Sequence, residues 1–139
     1  MTVREKAERL HKSVNTFVIT CVGGDGYPLS KAVVPGRFRE TLAEMYFCTN
    51  TSSNFTAEVV RDGKAGVYFY SRRLVWQGCM LKGRMEIVAD QAVKNRYWQN
   101  RYKNAYPQKS PADPDFCLLK FSPASGRYYS WFRIEDFAI

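Results

Sequence analysis

Seven runs rich in aromatic and β-branched residues limit what this chain can become. They are residues 16–22, 29–34, 45–48, 65–71, 74–89, 116–121 and 127–134. Such runs, bounded by turn residues, read as strands. Short turn signals join most of them. Gly23-Gly24-Asp25-Gly26-Tyr27-Pro28 follows the first, Pro35-Gly36-Arg37 ends the second, and Pro123-Ala124-Ser125-Gly126 precedes the last. Arg72-Arg73 marks a further turn, and Gly78 and Gly83 suggest bends inside the longest run. Helical spacing is confined to residues 2–13, a short pattern from Phe55 to Val60, and residues 91–103. Too few helices lie between strands for a parallel βαβ sheet. The order predicts a mainly β fold, an antiparallel barrel with helices closing its ends.

At 139 residues, 45% of them hydrophobic, the chain suffices for one folded domain spanning residues 1–139. No run is long and apolar enough to span a membrane. The opening MTVREKAERLHK is charged and lacks the apolar core of a secretory signal, so a cytoplasmic protein is expected. Cys21, Cys48, Cys79 and Cys117 form no CxxC pair, and His11 is the single histidine, so no metal cluster is expected and the thiols should be reduced and buried. A net charge of +8 suits an anionic partner: a nucleotide cofactor, a nucleic acid or an anionic membrane.

One stretch carries the chemistry. Met45-Tyr46-Phe47-Cys48 runs as a strand into Thr49-Asn50-Thr51-Ser52-Ser53-Asn54 and then into a short helix, with Ser52 or Ser53 as its N-cap. Hydroxyls beside unpaired helical N–H groups make a phosphate cradle; a capped helix that binds nothing uses the same residues. Lys31, in mid-strand, reads either as a ligand contact or as an edge-strand gatekeeper. On the helix at 91–103, Val93, Tyr97, Trp98 and Tyr102 share a face. Packing against the barrel is the simpler use for them, and base stacking is the alternative. His11 reads as a surface or packing residue.

The order of these elements, with YFCTNTSSN, AGVYFY, LKGRMEIV, Tyr97-Trp98, Asp113-Pro114-Asp115-Phe116 before LLKF, and Arg127-Tyr128-Tyr129, resembles the pyridoxamine 5'-phosphate oxidase-like superfamily of FMN-binding split barrels, nearest its general-stress-protein branch. The resemblance implies a six-stranded antiparallel split barrel with about three helices. It implies a homodimer with FMN between the barrels, an oxidoreductase activity, and a small-molecule substrate of unknown identity. It places the flavin or its phosphate against Lys31, Ala32 and Val33, and against Cys48, Thr49, Asn50, Ser52, Ser53 and Asn54. It makes Gln77 a candidate flavin contact, and Trp98, Tyr129 or Trp131 a candidate wall of the ring pocket. The family often has Arg-Lys after the serine of the turn; here Asn54 and Phe55 stand there. Gly78 holds the place of a flavin-contacting glutamine, with Gln77 one step earlier, and the substrate signature of true pyridoxamine-phosphate oxidases is absent. These departures set the alternative of a split barrel that binds a deazaflavin or heme instead, with a nucleic-acid-binding module as the remote one.

Overall fold

A computed structural model describes residues 1–139. Helix α1 (Val3–Ser13) is followed by β1 (Phe17–Val22), β2 (Pro28–Val33), β3 (Met45–Asn50), α2 (Asn54–Arg61), β4 (Lys64–Ser71) and β5 (Gln77–Ile87). Then come α3 (Gln91–Tyr97), a 3-10 turn (Asn100–Asn104), β6 (Phe116–Ser130) and β7 (Arg133–Ala138). All strand pairs are antiparallel, in the order β2-β1-β4-β5-β6-β3, with β7 beside β6.

The two ends of that path meet at a single bridge, Pro35 opposite Phe47. There the Gly36 N–H donates to the Tyr46 carbonyl at 3.0 Å. A Cβ on residue 36 would lie 2.8 Å from that oxygen, so only glycine allows the approach. Continued past the bridge, the pairing would set Val33 opposite Thr49 and Lys31 opposite Thr51. No ladder forms there, and this is the split in the barrel.

Alternation puts Phe17, Ile19 and Cys21 of β1, Met45 and Phe47 of β3, Val67 and Phe69 of β4, and Cys79 and Leu81 of β5 into one core. Phe17 meets Phe69 and Phe47 at centroid distances of 5.0 and 5.9 Å. Helix α1 lays Ala7, Leu10 and His11 against it. Its start is fixed by a reciprocal capping box, Glu5 N–H to Thr2 Oγ1 at 3.1 Å and Thr2 N–H to Glu5 Oε2 at 2.7 Å.

The outer surface is divided. Over β3 and the first half of β6, α3 and the loop after it bury Phe116 and Leu118 and stack Tyr97 on Tyr46 at 4.4 Å. Over β1, β2, β4 and β5 no helix covers the outward row of Ala32, Val18, Tyr68 and Met80.

Three expectations are corrected. Residues 123–126 are not a turn: β6 runs straight through them, and the extra residue is taken up as a bulge opposite Lys82 and Gly83. A proline without an N–H is tolerated where the ladder is interrupted. The real turn is at Trp131 and Phe132 and leads into β7. The helix expected over 91–103 ends at Tyr97, because Trp98 adopts an extended backbone, and a 3-10 turn follows. The strand expected over 74–89 is β5 alone, preceded by an exposed hairpin tip.

Candidate functional site

The stretch from Cys48 to Asn54 forms the corner between β3 and α2. Ser53, not Ser52, is the N-cap. Its Oγ accepts from the Thr56 N–H at 3.1 Å and lies 2.9 Å from the Thr56 hydroxyl, which donates to the Asn50 carbonyl at 2.8 Å. Ser52 and Asn54 are exposed.

A carboxylate already occupies this corner. Asp115 Oδ1 accepts from the Ser52 N–H and Oδ2 from the Asn50 side-chain amide, both at 2.8 Å. The Thr51 N–H donates to the Asp115 carbonyl at 2.9 Å, and the Thr51 hydroxyl to the Pro114 carbonyl at 2.8 Å. Buried Asp113 accepts from the Asp115 N–H at 2.8 Å and the Gln108 N–H at 2.7 Å, and so holds the loop in place. The bond from Asn50, then those from Ser52, hold the Asp115 carboxyl below the usual carboxylate range.

Lys31 lies on the inward face of β2 with Leu29 and Val33 and reaches across the split. Its Nζ donates to Thr49 Oγ1 at 2.5 Å and sits over the Phe55 ring, 5.2 Å from the centroid. It joins no ion pair, and burial lowers its pKa. Thr49 is buried, and its carbonyl accepts from the Tyr106 hydroxyl at 2.7 Å. An ammonium without a carboxylate, beside a hydroxyl at a gap in the sheet, attracts an anion or a polar ring edge. No nucleophile–base pair accompanies it.

The structure therefore joins Lys31 to Thr49 across the split, whereas Asn50 and Ser52 are tied to Asp115 on the β6 side of β3, Ser53 caps α2, and Asn54 is exposed. Val33 packs against the core, and Ala32 points outward onto the uncovered face. Cys48 turns outward beneath the α3 flank, where burial pushes its thiol up to about 11. Gln77 is placed elsewhere. The ladder from Gln77 to Lys82 is regular, so no bulge at Gly78 restores its face, and its Oε1 accepts from the Tyr128 hydroxyl at 2.6 Å. Trp98 packs edge-on against Phe116 at 5.0 Å and near Tyr106 at 5.7 Å. Tyr129 meets Trp76 at 6.2 Å, while Trp131 is exposed at the β6–β7 turn with φ 52°. Tyr97 and Trp98 are thus engaged in packing rather than free to stack bases.

The sequence reading missed Asp115 and Tyr106 as parts of the site. The signal for Asp115 was an acidic pair around a proline directly before a strand, in a basic chain.

The family described as "Pyridoxamine 5'-phosphate oxidase like" matches residues 5–133. Among solved structures, a Clostridium acetobutylicum protein related to general stress protein 26 of the pyridoxinephosphate oxidase family is 28% identical, with TM-score 0.84, covering 97% of this chain and 93% of that one. A pyridoxamine 5'-phosphate oxidase-related, FMN-binding protein of Nostoc punctiforme is 15% identical, with TM-score 0.74, covering 97% and 93%. A heme-binding protein of Mycobacterium smegmatis is 16% identical, with TM-score 0.77, covering 99% of this chain and 58% of that one. These last two likenesses are of fold alone. No curated protein matches the chain.

Proposed function

The chain belongs to the pyridoxamine 5'-phosphate oxidase-like family, and from that premise we propose that it is a homodimeric flavin-binding protein with an oxidoreductase role, its flavin lying between two copies. The observation that carries this reading is Lys31, a partly buried ammonium with no carboxylate partner at the gap between β2 and β3. The uncovered face formed by Val18, Ala32, Tyr68 and Met80 supports a second copy, since a sheet face of this kind gains from being covered. The FMN-binding neighbour supports the choice of ligand.

The residues fit FMN in part. Lys31 and Thr49 offer a cation and a hydroxyl, but Asp115 takes the corner's Ser52 N–H, and Asn54 and Phe55 add no charge. A bound flavin supplies the hydride chemistry. The chain's own residues hold positive charge beside it and, across two copies, exclude water. A true pyridoxamine-phosphate oxidase is not part of this reading.

The test is a fluorescence titration of the purified protein with FMN and riboflavin, together with its mass by light scattering. Saturable quenching and a dimer mass are expected. Flavin fluorescence unchanged up to tens of micromolar protein would remove the flavin, and a monomer mass would remove the shared site.

Heme is the second reading, prompted by the M. smegmatis neighbour. His11 cannot be its ligand, because it is 2% exposed and enclosed by Phe17 and Phe69. A heme spectrum on reconstitution, without flavin quenching, would favour this reading over the first; a deazaflavin titration separates the remaining alternative.

A further inference from the structure

A phosphate held at a strand-to-helix corner needs main-chain N–H donors facing it and no competing anion. This corner fails the second condition. Its Ser52 N–H and the Asn50 amide both end on the Asp115 carboxylate, at 2.8 Å. A dianionic tail placed there must displace that carboxylate or lie beside it.

We propose that Asp115 determines ligand specificity at this corner: it stands where a phosphate would bind, so the site takes an unphosphorylated flavin at least as well as its 5'-phosphate. The inference rests on the flavin reading for its ligand, and on the hydrogen bonds of Asp115 for its substance. The loop has ties besides the carboxylate. The Thr51 bonds to the Asp115 and Pro114 carbonyls and the Asp113 bonds to Gln108 and Asp115 N–H all survive its removal. A merely structural aspartate would change stability when replaced and leave ligand preference where it was.

The experiment has two arms, on wild type, D115A and D115N. In the first, FMN and riboflavin are titrated against each form. Wild type should bind riboflavin as tightly as FMN or tighter. D115A frees two donors and removes a charge, so it should shift the ratio toward FMN by about tenfold or more, the scale of a charge-assisted hydrogen bond. D115N removes the charge and one of the two acceptor oxygens but keeps the other, so it should fall between. An FMN-preferring wild type, or a ratio unmoved in both variants, sinks the proposal. In the second arm, inorganic phosphate is titrated while the Ser52 backbone amide is followed by nuclear magnetic resonance. The amide should stay still in wild type and move saturably in D115A. A saturable shift in wild type, or none in D115A, overturns the proposal whether or not any flavin binds. If neither flavin binds any form, the flavin reading falls by itself and the phosphate arm still decides the role of Asp115.

Discussion

His11 offers the most direct test of how the core is built. The ring is 2% exposed, lies 5.5 and 5.8 Å from the Phe17 and Phe69 rings, and has no hydrogen-bond partner for Nδ1. Burial lowers its pKa from 6.5 to about 4, helped by the charges of Arg39 and Lys12. The Arg39 guanidinium donates to the carbonyls of His11, at 3.0 Å, and Val14. The fold therefore holds the neutral ring. Between pH 6.5 and 4 the unfolded chain takes up a proton that the folded one refuses, so stability is full above 6.5 and falls as the pH drops. The loss is about 2 kcal/mol at pH 5 and about 3 kcal/mol below pH 4. In the H11L variant that slope should vanish and stability at neutral pH should be kept, since an unpaired buried nitrogen is removed. Urea denaturation of both forms at several pH values between 7.5 and 4.5 measures the difference. Carboxylates held low, such as Asp115 and Asp136, lose their contribution only below their ordinary range and equally in both forms. Parallel curves for wild type and H11L would refute the assignment of this window to His11.

Four further outcomes are expected. Gly83→Ala drives a Cβ to 2.1 Å from the Ser122 carbonyl and 2.7 Å from Pro123 Cα, both backbone, whereas at Gly126 it meets only the Phe137 ring. A thermal melt should therefore show G83A losing about 3 kcal/mol, the upper range for overpacking, and G126A distinctly less. Tyr106→Phe leaves the Thr49 carbonyl without its 2.7 Å partner and should cost about 1–2 kcal/mol in chemical denaturation. Burial pushes the Cys48 thiol up to about 11 and the Cys79 thiol to about 12, so a disulfide reagent at pH 8 should label them only after unfolding. Met80→Glu puts a charge on the uncovered sheet face and should convert the proposed dimer to a monomer in light scattering, with the circular dichroism spectrum kept.

Local patterns carried the reading where a segment's own residues decide its conformation. Thr2 and Glu5 cap α1 as their spacing predicts. The runs read as strands at 16–22 and 65–71 do form β1 and β4, and they supply Phe17, Ile19, Val67 and Phe69 to the core. Errors fall where a neighbour decides. Pro123 and Gly126 look like a turn, yet β5 and β7 on either side hold β6 extended through them. The true turn has Trp131 and Phe132 at its centre, with neither glycine, proline nor asparagine, and puts Trp131 at φ 52°, so its central residues do not announce it. The helical pattern over 91–103 is broken because Trp98 is drawn onto Phe116, Tyr102 and Tyr106, a cluster assembled from the loop and β6.

The corner after β3 shows the same division at the site itself. Its hydroxyls and helix start are written in adjacent residues, and they do form the expected turn around Ser53. What those donors bind is decided by Asp115, 63 residues further along from Ser52. Antiparallel pairing of Asn50 with Phe116 brings that distant aspartate alongside. A donor-rich turn therefore has two possible acceptors, a ligand or the chain's own side chain, and only the pairing register tells them apart. Lys31 falls on the other side of that distinction. Its strand faces a gap instead of a ladder, so its ammonium finds a hydroxyl and an aromatic ring but no carboxylate. The unspent charge of the site is on β2, and it is there that a ligand has most to gain.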